Sequence, residues 1–290
     1  MANLRAIRKR IGSVKSTQQI TKAMKMVSAA KLRRAQDAIT SARPYARKMR
    51  ELVEGLAARA GQGAHPLLSP REPKKMALLV ITSDRGLCGG FNSNLLRATQ
   101  RFLAERNDRY EEVVLLTAGR KARDFFRRRR VPVRKEYVGV LGALSYSHAE
   151  AFSRELVGGF LAAEFDEVYV AFNEFRSVIS QVARFEKLFP VEIPAAAPAA
   201  GGSDIDYLYE PGQKEILSVL LPKYVETQLF RYLLESVAGE HGARMSAMDS
   251  ATNNAVEMIS SLTLQMNRAR QAAITKELME IIGGAEALKG

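Results

Sequence analysis

The segment from Asp84 to Asn92 holds the residues with the clearest potential for chemistry. It reads Asp-Arg-Gly-Leu-Cys-Gly-Gly-Phe-Asn, a glycine-rich turn between a predicted strand and a predicted helix. Nucleotide-binding folds place phosphates at such turns, because N–H groups at a helix N-terminus attract anions. The glycines match neither the G-x-G-x-x-G nor the G-x-x-x-x-G-K-S/T spacing. We therefore favour a structural turn, with Asn92 or Ser93 capping the next helix, and keep a nucleotide-binding enzyme as an alternative.

Other candidates for catalysis or metal binding are few. Cys88 is the only cysteine, which excludes an internal disulfide and predicts a buried structural thiol, although Arg85 lies nearby in sequence. His65, His148 and His241 lack the i, i+4 spacing of a helical metal site. No G-x-S-x-G nucleophile motif is present. The sequence therefore predicts no catalytic residue, no cofactor and no metal.

The composition is that of a soluble globular protein with an acidic partner. The chain has 290 residues, of which 47% are hydrophobic and 26% are charged, and it contains no apolar run long enough to span a membrane. The absence of a signal peptide and the single cysteine favour a reducing, cytoplasmic compartment. A formal net charge of +13 indicates nucleic acid, an anionic membrane or an acidic protein surface as partner.

The positive charge is concentrated at the start of the chain. The first fifty residues contain fourteen lysines and arginines and a single acidic residue, Asp37. Proteins that bind single-stranded nucleic acid present stacking aromatics, and Tyr45 is the only aromatic residue in this segment. A basic coiled-coil protein that binds nucleic acid stays open as an alternative, and an acidic protein collar explains the charge equally well.

Two long helices are predicted at the ends of the chain. Apolar residues recur at three- and four-residue steps over residues 1–58, which would form a helix of about 80 Å. A matching region covers 211–287, with its helix predicted from Lys223 and Pro222 in the first turn. The apolar faces along which the two helices would meet are rich in alanine and serine, so the helices can approach closely. We predict an antiparallel coiled coil.

The middle of the chain, residues 74–205, alternates between strand and helix patterns. The predicted order is a strand over Met76–Thr82, a helix over Asn92–Glu105, a strand over Glu112–Thr117, a helix over Arg120–Arg130, a helix over His148–Glu164, and strands over Glu167–Phe172 and Val178–Phe185. This order implies a parallel-type sheet. The predicted fold class is α/β, a long antiparallel coiled coil joined to a central Rossmann-like domain.

Several phrases together resemble one protein family. They are Gln-Gln-Ile-Thr-Lys-Ala-Met-Lys-Met-Val at 18–27, Ser-Asp-Arg-Gly-Leu-Cys-Gly-Gly-Phe-Asn at 83–92, and Asn-Arg-Ala-Arg-Gln-Ala-Ala-Ile-Thr-Lys-Glu-Leu at 267–278. Shorter matches include Tyr-Leu-Tyr-Glu-Pro at 207–211 and Glu-Ile-Ile-Gly-Gly-Ala at 280–285. In this order along the chain, they resemble the gamma-subunit family of rotary F-type ATP synthases.

The resemblance implies a central rotor stalk without an active site of its own. Members of the family insert their terminal helices into a hexamer of alternating alpha and beta subunits, where the beta subunits make ATP. The middle domain would rest on the c-subunit ring and bind the epsilon subunit, so proton flow would turn the stalk. This implies no contact with nucleic acid, contact with the membrane only through the c-ring, and a peripheral position on the cytoplasmic face of the bacterial plasma membrane.

The resemblance also implies contact residues. For the beta subunits these are Met24, Lys25, Arg85, Cys88, Arg270, Gln271 and Thr275. For the c-ring or epsilon they are Tyr207, Tyr209 and Glu210. Small side chains on the stalk helices would let the stalk turn inside the hexamer without being held by interlocking side chains. The basic residues of the stalk would be attracted diffusely to acidic loops of the beta subunits.

Overall fold

A computed structural model of the chain describes residues 4–60, 63–191 and 212–287. The chain divides into two compact units. One consists of Met1–Ser28 with Arg244–Gly290, and the other consists of Ala29–Ala243. We refer to them as the helix pair and the α/β unit.

Two helices account for nearly half of the chain. Helix α1 covers Leu4–Ala60 and helix α5 covers Gln213–Ala287. The prediction that Pro222 occupies the first turn is wrong, because α5 begins nine residues earlier and Pro222 lies inside it. A proline inside a helix forfeits one backbone hydrogen bond, and burial of Leu217, Leu221 and Val225 offsets that loss by fixing this part of α5 in the core.

The helix pair is antiparallel. Thr21 Oγ1 lies 2.8 Å from Thr252 Oγ1, and one turn further along α1, Lys25 Nζ donates to Asp249 Oδ1 at 2.6 Å. Residue numbers therefore increase along α1 as they decrease along α5, so the two helices run in opposite directions. Ser28, Met248 and Ala255 are buried in this part of the chain, as expected for a close seam of mostly small residues.

The α/β unit is built on a five-stranded sheet. Its strands are β1 (Lys75–Ile81), β2 (Glu112–Ala118), β3 (Val133–Tyr137), β4 (Glu167–Phe175) and β5 (Gln181–Phe189). The spatial order is β3-β2-β1-β4-β5, with parallel pairing throughout except for the antiparallel pair β4–β5. The predicted α/β class with a mainly parallel sheet is confirmed.

Strand β3 was not predicted, and β5 begins later than expected. The sequence of β3, Val-Arg-Lys-Glu-Tyr, carries three charged residues in a row, which is unusual for a buried strand. An edge position makes these charges possible, because an edge strand pairs on one side only.

Helices cover both faces of the sheet. Helices α2 (Phe91–Ala104) and α3 (Arg120–Arg128) lie on one face, where Phe102 of α2 stacks on Phe185 of β5 at 4.3 Å between ring centroids. Helix α4 (Tyr146–Leu161) and α5 lie on the other face, where Tyr232 packs against Phe172 of β4. This is a doubly wound sheet, and its strand order reverses between β1 and β4.

Candidate functional site

The turn from Asp84 to Gly90 follows β1 at the carboxyl edge of the sheet. It adjoins the point between β1 and β4 where the strand order reverses, which is where doubly wound folds bind ligands. The position is therefore the one expected for a nucleotide site, and the arrangement of side chains decides whether a ligand fits.

Side chains from three elements fill this crevice. The Nδ2 of Asn173, at the end of β4, donates to the carbonyl oxygen of Phe91 at 3.1 Å. Cys88, Phe91 and Ala243 form a buried cluster, which brings α5 against the turn. A Cβ at Gly239 would lie 3.1 Å from the Phe91 ring, so α5 is already as close as a glycine allows. These side chains occupy the part of the crevice that a nucleotide would need.

Hydrogen bonds within the turn show what Asn92 does. Its Oδ1 accepts from the backbone N–H of Ser83 at 3.0 Å, and its Nδ2 donates to the Ser83 hydroxyl at 2.8 Å and to the Cys88 sulfur at 3.2 Å. The N-cap of α2 is Gly90, and the Ser93 hydroxyl donates to the carbonyl of Gly90. The prediction that Asn92 or Ser93 caps α2 is therefore wrong, whereas the prediction of a structural turn agrees with these contacts.

Asp84 occupies the anion position at the next helix. Its carboxylate accepts from the backbone N–H of Arg120, in the first turn of α3, at 3.0 Å and from the N–H of Gly139 at 3.1 Å. Gly119, before α3, has φ 99°, and a Cβ there would lie 1.9 Å from the carbonyl oxygen of Thr82. The protein's own carboxylate thus neutralises a helix N-terminus that a phosphate would otherwise use.

Cys88 and Arg85 differ in their access to a partner. Arg85 is exposed, whereas Cys88 is buried at 2% exposure, as predicted for a structural thiol. A side chain buried within its own chain has no surface to offer to another subunit, so we do not retain Cys88 as a contact. Arg85 stays a predicted contact.

His65 and His148 have structural roles. His65 Nδ1 accepts from the N–H of Leu67 at 3.1 Å, and burial lowers the pKa of His65. His148 forms a capping box with Ser145 at the start of α4. Among the described residues, no group of His, Cys, Asp and Glu side chains is arranged to hold a metal ion. None of the described helices is both long enough and apolar enough to cross a membrane.

The helix pair carries the other predicted contacts with beta. Arg270, Gln271 and Thr275 are exposed on α5, and Met24 is partly buried. Lys25 is partly buried and bonds to Asp249, a partner that sequence reasoning missed because the two lie more than two hundred residues apart. The other thirteen basic residues among the first fifty are exposed on α1.

The far end of α5 carries an apolar surface that sequence reasoning also missed. Ile274, Leu278, Ile281 and Ile282 are 56%, 55%, 71% and 52% exposed. The register of the helix pair places Leu4, the first described residue of α1, near Ala269. The apolar residues therefore lie beyond the described start of α1, and their helical spacing was the available signal. Exposed apolar clusters of this kind mark interaction sites.

Tyr207, Tyr209 and Glu210 lie outside the described residues, as does the stretch 194–202 that the sequence predicts to be a loop. The three residues stay predicted contacts with the c-ring or epsilon.

Comparison with known proteins gives consistent full-length matches. The family described as ATP synthase matches residues 3–288. The ATP synthase gamma chain of Anaeromyxobacter sp. strain Fw109-5 is 59% identical over 293 residues, and that of Trichlorobacter lovleyi is 52% identical over 290 residues, each with full coverage of both chains.

Two solved ATP synthase structures each contain a chain that superposes on this one. A chain of the Tetrahymena thermophila mitochondrial ATP synthase central stalk and c-ring superposes with TM-score 0.61 and 26% identity, over 80% of this chain and 99% of that one. A chain of the Euglena gracilis mitochondrial ATP synthase, at 20% identity over 98% of this chain and 94% of that one, shares the fold with TM-score 0.69.

Proposed function

This chain belongs to the ATP synthase gamma chain family, and from that membership we propose that it is the central rotor stalk of an F-type ATP synthase. Rotation of the stalk couples proton flow through the c-ring to ATP synthesis, or hydrolysis, at the beta subunits. The chain itself supplies no catalytic group in this proposal. It changes the nucleotide affinity of each beta subunit in turn by presenting a different side to it.

The observation that carries the proposal is the surface of the helix pair. Its apolar end on α5 needs a partner to remove it from water, and the exposed basic residues of α1 need an acidic one. A collar of alpha and beta subunits provides both, with apolar contact around the end of α5 and acidic loops beside α1. Diffuse charge attraction suits a rotating contact, because it creates no single deep minimum at which the stalk would stop.

Specific contacts are proposed on both units. Arg270, Gln271 and Thr275 contact beta from α5, Met24 and Lys25 lie in the coupling region, and Arg85 meets the lower rim of beta. The proposal for Lys25 includes Asp249, because the ion pair orients the ammonium group on the surface of the helix pair.

The α/β unit is assigned to the c-ring and the epsilon subunit. Tyr207, Tyr209 and Glu210 are the proposed contacts there. The protein would then be held at the cytoplasmic face of the bacterial plasma membrane through the c-ring. Replacement of Tyr207 and Glu210 together by alanine should lower proton-driven ATP synthesis in reconstituted vesicles, and unchanged synthesis would remove these two residues from the proposal.

Direct observation of rotation tests the stalk assignment. The chain would be co-expressed with the alpha and beta subunits of the same organism, the hexamer fixed to glass, and a bead attached to the variant Arg101→Cys. Arg101 is exposed on α2, whereas the native Cys88 is buried and does not compete for the label. Stepwise rotation that requires ATP is the expected result.

Two controls make the outcome decisive. A complex that lacks the Arg101→Cys substitution and keeps only the buried Cys88 should carry no bead. A variant with alanine at Arg270, Gln271 and Thr275 should rotate with weaker coupling to hydrolysis. ATP hydrolysis by a complete complex whose bead does not rotate would contradict the stalk assignment.

A further inference from the structure

A groove between α2 and α3 is strongly basic. It encloses about 330 Å³, and its lining residues come from the first turns of α2 and from the length of α3. The lining consists of Asn92, Ser93, Leu96, Arg97, Lys121, Asp124, Phe125, Arg128 and Arg129. Four of these side chains are cationic and one is anionic. We refer to this feature as the basic groove.

The single carboxylate of the basic groove already has a partner. Asp124 Oδ1 accepts from Arg123 Nε at 2.9 Å and from Arg123 Nη2 at 2.8 Å, and these two hydrogen bonds to one carboxylate oxygen lower the pKa of Asp124. Arg123 does not line the groove, so the largest stabilisation of the Asp124 carboxylate comes from outside the lining, with smaller coulombic contributions from the lining cations Arg128 and Lys121. The lining therefore sets four cationic side chains against the single carboxylate of Asp124.

The cations are placed for hydrogen bonding with an incoming anion. Arg97, Lys121, Arg128 and Arg129 are all exposed. The Arg129 guanidinium stacks on the Phe125 ring at 3.7 Å, a geometry that leaves much of the N–H edge of the guanidinium open. Arg97 is held by hydrogen bonds to the Ser93 carbonyl and to Asn94 Oδ1, which fixes its stem along α2.

The floor of the groove is apolar. Leu96 is buried at 6% exposure, and Phe125 is partly buried beside it. A phosphate backbone has no apolar side chains to place on such a floor. A lipid headgroup layer is flat and does not reach into a concavity. A polypeptide in which leucine-type residues alternate with carboxylates can place apolar side chains on the floor and carboxylates beside the lining cations.

We propose that the basic groove is a docking site for an acidic, amphipathic polypeptide segment of a partner protein. The segment places apolar side chains mainly on Phe125, next to the small exposed part of Leu96, and carboxylates on Arg97, Lys121, Arg128 and Arg129. This proposal does not rest on the rotor function, because the site is complete within the α/β unit.

A binding measurement on the isolated full-length chain tests the proposal. The probe is a fluorescent synthetic peptide of repeated Glu-Glu-Leu triplets, and its anisotropy is followed at physiological ionic strength. The variant Arg97→Glu with Arg128→Glu should weaken binding by about tenfold or more, because one cation from each wall becomes a repelling carboxylate.

The matched control is Arg101→Glu with Arg127→Glu. These two arginines are exposed on the same helices and do not line the groove, so the change in net charge is identical. The control should bind the peptide within about twofold of the native chain. Equal weakening by both variants would mean that binding depends only on the net charge of the chain, which would overturn the proposal. Thermal unfolding of both variants checks that each one is folded.

Three further probes separate the classes of partner. A Gln-Gln-Leu peptide should bind far more weakly than the Glu-Glu-Leu peptide. Tighter binding of duplex DNA or of phosphatidylglycerol vesicles than of the acidic peptide, with the same loss in the groove variant, would overturn the proposal in favour of nucleic acid or membrane.

Lys121 provides a positional check. It is the only amine of the groove lining, so a carbodiimide should couple it to a carboxylate of the bound peptide. The variant Lys121→Arg keeps the charge and should keep the affinity while losing this coupling. Mass spectrometry that finds the coupling at lysines elsewhere and not at Lys121 would place the peptide outside the groove.

Discussion

At the scale of single residues, Glu167 at the start of β4 is a buried carboxylate held by several donors. Its side chain is 5% exposed and receives hydrogen bonds or ion pairs from Tyr110, Arg109 and Lys187. Burial by itself raises the pKa of Glu167, and the hydrogen bonds from Tyr110 and Lys187 outweigh it, so the pKa lies below its usual range. The folded state therefore holds this carboxylate ionised more firmly than the unfolded chain does.

Replacement of Glu167 by glutamine should destabilise the chain. We expect a loss of about 2 kcal/mol in the free energy of unfolding near pH 7, because buried donors lose a charged acceptor. The contribution of Glu167 is present above the unfolded pKa and is lost as the pH falls through the lower folded pKa. Urea unfolding between neutral and acidic pH should therefore show a difference between native and variant chains that shrinks on acidification.

The matched control is Glu112→Gln. Glu112 lies on β2, which β1 separates from β4, and forms an exposed ion pair with Lys75 at 3.7 Å, so its loss should change stability by about 0.5 kcal/mol or less. A Glu167 variant as stable as this control, or a difference that grows on acidification, would contradict the assignment.

At the scale of elements, polar contacts set the register of the helix pair. Alanine and serine seams fit together in several registers, because small side chains interlock weakly. The bond between Thr21 and Thr252 lies in the buried seam, where Thr21 is 8% exposed, and the ion pair between Lys25 and Asp249 lies one turn away at its margin. A slip of one helical turn would leave the threonine hydroxyls without each other and separate the charges.

A cysteine pair reports this register. The variant Thr21→Cys with Thr252→Cys should form a disulfide readily, because the two hydroxyl oxygens that the sulfur atoms would replace lie 2.8 Å apart. Gel mobility under non-reducing conditions measures the cross-link. The variant Thr21→Cys with Val256→Cys is offset by one turn of α5 and should cross-link far more slowly. Faster cross-linking of the offset pair would show that the register differs from the one described.

At the scale of the whole molecule, exposed positive charge is concentrated on α1, and a dense group of exposed apolar residues lies at the end of α5. The net charge of +13 is carried largely by exposed residues of α1, whereas exposed apolar residues gather at the end of α5. Neither feature stabilises an isolated chain, since like charges repel and exposed apolar groups gain nothing in water. Both make sense in a chain that works inside an assembly.

Charged residues at the apolar end should therefore impair assembly without unfolding the chain. The variant Leu278→Asp with Ile282→Asp should weaken association with alpha and beta by about a hundredfold, because two apolar side chains can no longer be buried. Co-purification of the subunits measures association, and thermal unfolding of the isolated chain should be unchanged. Glu280→Gln, an exposed change in the same turn, is the control and should assemble normally. Normal assembly of the double variant would remove the apolar end from the interface.

The sequence by itself determined the long terminal helices, the central alternation of strand and helix, and the structural nature of the turn after β1. These features depend on local periodicity and on glycine spacing, which neighbouring residues carry. It also predicted a buried thiol at Cys88, because a lone cysteine without a reactive motif is most often a core residue.

Only the tertiary structure decided the strand order, the edge strand β3, the partner of Lys25 and the basic groove. Strand order depends on which of several compatible pairings buries the most apolar surface. Strand β3 has no local strand pattern, because three of its five residues are charged. Lys25 and Asp249 are brought together by packing between helices at opposite ends of the chain, and Arg97 and Arg128 line one groove because α2 and α3 pack on the same face of the sheet. Contacts of this kind arise from the geometry of the fold, so a single sequence read residue by residue does not contain them.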